Sequence, residues 1–93
     1  MAVGAGLALQ PRDWVFPALR ESGVMLVRGY ALGAYVAQLF GCELDPMKGR
    51  QMPSHQASPL VNQVSWSSCI GTQLPHAVGA ARAMQLAKDG AVA

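Results

Sequence analysis

The clearest periodic signal in the chain lies at residues 31–40, where Leu32, Tyr35, Val36, Leu39 and Phe40 fall at i, i+3, i+4, i+7 and i+8. That spacing gathers five apolar side chains on one face of a helix, and Gly41 supplies its C-terminal stop. The face is core or an interface, and periodicity alone does not choose between them. A second helix is predicted over 72–88, with Thr72 as N-cap, Pro75 tolerated in the first turn and Gly90 beyond its end. Its small residues Ala77, Gly79, Ala80, Ala81 and Ala83 let another backbone approach closely, so this helix is expected to pack tightly. Two weaker signals are VGAGLAL at 3–9, read as the last turns of a helix, and a short helix capped by Ser22 and running to Val27 before Gly29.

Between these segments the pattern loses its period. Residues 13–20, DWVFPALR, read as an irregular stretch ending at Arg20. Residues 42–63 carry three prolines and a glycine and read as one long loop; such loops inside compact domains tend to be functional or disordered. QVSW at 63–66 is read as a short strand, and AVA at 91–93 as the opening of a buried one.

Composition changes this picture in one respect. Charged residues are 13% of the 93 positions, against roughly 25% in ordinary soluble domains. A short chain has the most surface to cover, so the deficit points to faces meant for other protein, and to a chain that folds poorly by itself. The net charge of +2 and seven scattered basic residues form no stripe with interleaved aromatics, so nucleic acid is not expected. Cys42 and Cys69 lack CxxC spacing, which argues against a zinc site or a disulfide framework and fits a reducing compartment. The N-terminus has no basic n-region and makes a poor signal peptide. Residues 23–42 are mostly apolar, but Arg28, Gln38 and the glycines oppose a membrane span. The expected location is cytoplasmic.

The densest chemistry is SSCIGTQ at 67–73, a run of oxygen-bearing side chains just before the second helix. Read on its own it is a cluster of helix-capping residues. Arg20 alone would be a surface arginine, His55 a loop histidine, Met47 and Met52 packing residues, and His76 a structural residue on its helix. Lys48 and Arg50 would be solvated or paired across a subunit contact.

Three motifs in register alter that reading. DWVFPALRESG, LDPMKGRQMPSH and SSCIGTQLPHAVGAA together resemble the alpha subunit of thiamine-diphosphate-dependent 2-oxo acid dehydrogenases. The branched-chain type looks closest, chiefly through KGRQMP followed by His55. The resemblance implies an α/β protein of the thiamine-diphosphate-binding fold, with a parallel sheet flanked by helices. Residues 1–93 would be one partial domain of it, truncated at both ends, mostly helices and a long loop with partial strands. It further implies that Ser68 and Ile70 contact the thiamine portion of the cofactor, that Arg20 meets its diphosphate, and that Ser67, Cys69, Thr72 and Gln73 ligate a structural potassium ion. Magnesium ligands are expected outside these residues, because neither GDG nor NN occurs in the sequence.

Two positions depart from the family pattern. Cys69 stands where a proline is usual, which leaves a carbonyl oxygen available, and Leu19 stands where a tyrosine usually contacts the diphosphate. The implied reaction is oxidative decarboxylation of a branched-chain 2-oxo acid with acyl transfer to a lipoyl transacylase, and the implied partner is a beta subunit. No residue of the chain is assigned an acid–base role. Alternatives are a pyruvate- or acetoin-type dehydrogenase, or a non-catalytic piece that docks on the beta subunit.

Overall fold

A computed structural model describes all 93 residues. Helices form at Ala2–Ala8 (α1), Gly23–Val27 (α2), Leu32–Phe40 (α3) and Gln73–Ala87 (α4), with a 3-10 turn at Pro59–Val61. Glycine in the left-handed region at Gly41, φ 57°, ends α3 where the sequence puts its stop. The helix α1 lies on α2. Gly6 is the buried residue of that contact, and a methyl group there would meet the Val27 side chain and come within 3.3 Å of the Val24 backbone.

The interior of the chain is as polar as it is apolar. Met25, Tyr30 and Val61 form the hydrophobic cluster, with Ala34 and Tyr35 against it. Around it are buried Asp13, Gln38, Asp45, His55, Gln56, Ser58 and Gln63. Most of these hold backbone groups that the loops would otherwise leave unpaired, the condition under which a polar group is tolerated inside. Gln38 donates Nε2 to the Tyr30 hydroxyl and to the Ala57 carbonyl, both at 2.8 Å, and its Oε1 accepts from Ala57 N at 3.2 Å. Asp45 accepts from Met47 N at 2.8 Å and Gly49 N at 2.7 Å, which folds DPMKG into a tight turn.

Arg28, at the end of α2, ties three separate stretches together. It donates to the carbonyls of Val61, Gln10, Pro11 and Asp13 at 2.8–3.2 Å. The Asp13 carboxylate accepts from Gln10 N at 2.7 Å and Val92 N at 3.0 Å, and the Val92 carbonyl accepts from Trp14 N. The long loop is therefore an ordered set of turns pinned by side chains.

Three expectations are corrected and one open alternative is decided. The strands at 63–66 and 91–93 do not form: the extended segments meet only as single bridges, Val15 with Gln63 in parallel and Ser58 with Gln63 in antiparallel. The α/β arrangement is thus met only in its helices and loop, because one bridged pair is too short to make a ladder. The apolar stripe of α3, left open as core or interface, reaches the chain's core only through Tyr35. Leu32, Val36 and Phe40 are exposed, and the helix instead buries Ala37 and Gln38 on the opposite face, where the Gln38 amide has its three partners. No residue of α4 is buried, so its small side chains find no neighbour here. Thr72 precedes α4 with helical φ and ψ and makes no side-chain cap bond.

No helix is long and apolar enough to cross a membrane.

Candidate functional site

Two adjoining clefts share Ala18, Leu19 and Trp66 in their walls. One, of about 360 Å³, is lined by Ser67, Ser68, Ile70, Gly71 and Gln73 as well. The other, of about 150 Å³, holds Arg20 among Ser22, Tyr35, Ser54, Gln56 and Gln63. The irregular segment before Arg20 and the turn before α4 are thus brought to one surface. They are linked by the bridge at Val15, where Val15 N donates to the Asn62 carbonyl at 2.8 Å and Val64 N to the Val15 carbonyl at 3.0 Å.

The turn 67–73 is built from its own oxygens. Ser67 Oγ accepts from Cys69 N at 3.2 Å, and Thr72 donates both N and Oγ1 to the Cys69 carbonyl at 3.2 and 2.8 Å. Ser67, Cys69 and Thr72 therefore share one hydrogen-bonded turn, with Gly71 at φ 84° making its reversal. A monovalent cation would find the hydroxyl oxygens of Ser67 and Thr72 with lone pairs to spare, while the Cys69 carbonyl already accepts two bonds. Gln73 lines the adjacent cleft, and Ile70 projects fully into solvent at its rim. No group of three or more His, Cys, Asp or Glu residues is arranged to hold a metal.

Ser68 is separated from that network and belongs to a second one. Its Oγ lies 2.7 Å from His55 Nε2, and His55 Nδ1 lies 2.7 Å from the Pro53 carbonyl. A carbonyl only accepts, so Nδ1 of the neutral ring carries the proton, and Nε2 accepts the hydroxyl proton of Ser68. The Ser68 oxygen then faces the cleft with its lone pairs, as a hydrogen-bond acceptor. The buried His55 ring is also held by Trp66, with centroids 4.1 Å apart. The sequence left the role of His55 open; the MPSH spacing was the available signal.

The Arg12, Arg28 and Arg82 side chains are each hydrogen-bonded within the chain, whereas those of Arg20 and Arg50 are not, and of these two only Arg20 lines cavities. Its φ of 71° lies in the left-handed region, as does that of Ser54 at 65° in the same wall. Such backbone costs about 1–3 kcal/mol per residue and collects at functional sites.

The family model for the dehydrogenase E1 component matches residues 1–93. The chain belongs to that family. It is 45% identical over 91 residues to the mitochondrial 2-oxoisovalerate dehydrogenase subunit alpha 2 of Arabidopsis thaliana, covering 98% of this chain and 19% of the relative. The mitochondrial alpha subunit of Caenorhabditis elegans is 45% identical over 87 residues, 94% of this chain and 20% of the relative. The Homo sapiens protein of that name is 43% identical over 90 residues, 97% and 20% respectively. The chain spans about a fifth of the length of these relatives. All three are mitochondrial subunits, and this overturns the expectation of a cytoplasmic location, which rested only on cysteine usage and a weak leader.

Proposed function

We propose that the chain forms the cofactor-facing part of the alpha subunit of a thiamine-diphosphate-dependent branched-chain 2-oxo acid dehydrogenase. Residues 1–93 would be one partial domain of the thiamine-diphosphate-binding fold, an α/β protein, contributing helices and the long loop but no strand of its parallel sheet. The observation that carries the reading is the pair of joined clefts, one lined by an unpaired arginine and the other by Ser68, Ile70 and the 67–73 turn. The names of the relatives, all 2-oxoisovalerate dehydrogenase alpha subunits, favour the branched-chain substrate over a pyruvate or acetoin one.

The residues present fit such a cofactor. Arg20 is a free, planar donor matched to phosphate oxygens. Ser68 offers an acceptor whose direction His55 fixes, and Ile70 offers an exposed apolar surface for a ring to rest on. When bound, thiamine diphosphate supplies the nucleophilic carbon that attacks a 2-oxo acid. The chain's own residues anchor the phosphate end, orient the ring end and shield one side of it with Trp66 and Leu19. Ser67, Thr72 and Gln73 would hold potassium and so stiffen the turn that carries Ser68 and Ile70. Cys69, whose carbonyl the turn already uses twice, would join them only once the Thr72 hydroxyl turns from it to the ion. Magnesium would be held by residues outside these clefts.

The beta subunit and a lipoyl transacylase are the proposed partners, and a branched-chain 2-oxo acid the proposed substrate. A second reading, a non-catalytic piece that docks on the beta subunit, is favoured by the exposed apolar faces of α3 and α4. Calorimetric titration with thiamine diphosphate, magnesium and potassium, with the beta subunit present, separates the two. The cofactor-facing reading expects saturable heat that is lost in Arg20→Ala; the docking reading expects none.

A further inference from the structure

The segment that carries Arg20 is held by a single hydrogen bond. Residues 16–20 contribute no donor or acceptor to any backbone–backbone bond. The one bond they make is from Ala18 N, which donates to Glu21 Oε2 at 2.8 Å. A carboxylate acceptor makes it stronger than a bond between two neutral groups. The Glu21 carbonyl in turn accepts from Val24 N at 3.0 Å and fixes the start of α2. Leu19 and Arg20 therefore lie in a closed loop, pinned at Ala18 by the side chain of Glu21 and at α2 by its main chain.

Arg20 sits inside that loop at φ 71°. A residue with a β-carbon stays in the left-handed region only where its surroundings hold it there, and the Glu21 bond is the one hydrogen bond placed to do so. The same bond has a second effect. Glu21 is the carboxylate nearest to Arg20 in sequence, yet no hydrogen bond joins the two side chains, and Oε2 goes to Ala18 N instead. Glu21 lines only the apolar cavity beside α1, whereas Arg20 also reaches the smaller cleft, whose walls hold no carboxylate.

We infer that Glu21 is a positioning residue: by holding Ala18 N, its carboxylate keeps Arg20 in the left-handed conformation that leaves the guanidinium free at the cleft. What Arg20 then binds rests on the proposed function; the geometry does not.

Charge and position have opposite effects at Glu21. Loss of a negative charge beside Arg20 strengthens anion binding, whereas loss of the bond to Ala18 weakens it. The chain with the beta subunit, in magnesium and potassium, is titrated calorimetrically with thiamine diphosphate and, separately, with thiamine. The variants are Glu21→Gln, Glu21→Ala, Arg20→Ala and the last two combined. A glutamine oxygen still accepts from Ala18 N, so Glu21→Gln should bind thiamine diphosphate within about threefold of the parent chain. Glu21→Ala should bind it about tenfold more weakly, the loss expected for one hydrogen bond to a charged group. Thiamine carries no phosphate and should bind Glu21→Ala as it binds the parent, which also shows that variant to be folded. On the Arg20→Ala background, Glu21→Ala should add no further loss, because its effect runs through the guanidinium. Equal binding by Glu21→Ala and the parent, an equal loss for thiamine, or full additivity in the combined variant overturns the inference. A measurement without ligand separates it from the cofactor reading. By NMR, the Ala18 amide proton should follow a carboxylate titration in the parent but not in Glu21→Gln, and the Arg20 Hα signal should shift in Glu21→Ala. If both hold while the parent binds no thiamine diphosphate, Glu21 positions Arg20 and the cofactor reading falls; if either fails, the inference falls.

Discussion

The loop-rich body from residue 10 to residue 65 and the helix α4 that follows it are held in opposite ways. The body has little regular structure, yet its backbone is clamped by Arg28, Asp13, Gln38 and Asp45, each bonding two or more main-chain groups. The helix α4 is the longest regular element and buries no residue, with Leu74, Val78 and Leu86 all exposed. Regularity and anchorage are therefore separate properties. A 15-residue helix is marginal in water without a packed face, whereas an irregular loop becomes rigid once its amides and carbonyls have fixed partners. The candidate site sits where the two regions join.

The comparison breaks most sharply at Arg28. Arg28→Ala removes four hydrogen bonds and leaves the Val61 and Asp13 carbonyls without a donor, while Gln10 O keeps Asp13 N and Pro11 O keeps Asn62 Nδ2. It should reduce stability by about 3 kcal/mol, read as lost amide-exchange protection across 10–13 and 59–64. In contrast Leu86→Ala, on exposed α4, should change stability by no more than about 0.5 kcal/mol. A comparable loss from both would erase the distinction. Gln38→Leu should cost about 2 kcal/mol, because the Tyr30 hydroxyl and both backbone groups of Ala57 lose their partner. Exchange at Ala57 N reports it directly.

Smaller effects sharpen the contrast. Lys88 closes α4 in the left-handed region at φ 55°, so Lys88→Gly should stabilise the end of that helix by up to about 1 kcal/mol, seen as increased helical signal with no change in the body. Asp13 shows the reverse locality. Hydrogen bonds from Val92 N, then from Gln10 N, hold its carboxyl below the usual carboxylate range. Its stabilisation is complete above the unfolded value of about pH 4 and is lost as the pH falls through the lower, folded value. Acid titration should loosen residues 10–13 and 92 first, and Asp13→Asn should flatten that dependence.

Helix positions were legible in the sequence because glycine and proline punctuate them and apolar residues recur between. Which face turned inward was not. The stripe of Leu32, Val36 and Phe40 could be core or interface by its spacing; within the chain those three are exposed and Gln38 is inside because its amide has three partners there, and no spacing rule announces a buried glutamine. The same blindness applied to Asp45, read as part of a loop, and to Gln56 and Gln63. The oxygen-rich turn at 67–73 and Arg20 were found through three motifs in register, and the clefts they line adjoin each other. The bond between His55 and Ser68 joins residues 13 apart in a segment without periodicity, so only the fold could reveal it. Strands were over-read at 63–66 and 91–93, where apolar residues suggested ladders and the chain makes only isolated contacts.

The central claim is that the two clefts together hold thiamine diphosphate, its phosphates at Arg20 and its ring at Ser68 and Ile70. Calorimetric titration of the chain with the beta subunit, in magnesium and potassium, tests it most directly when run beside Arg20→Ala and Ser68→Ala. The account predicts saturable binding that each substitution weakens, Arg20→Ala the more strongly. Binding of equal strength in all three, or no binding in the parent chain, would contradict it.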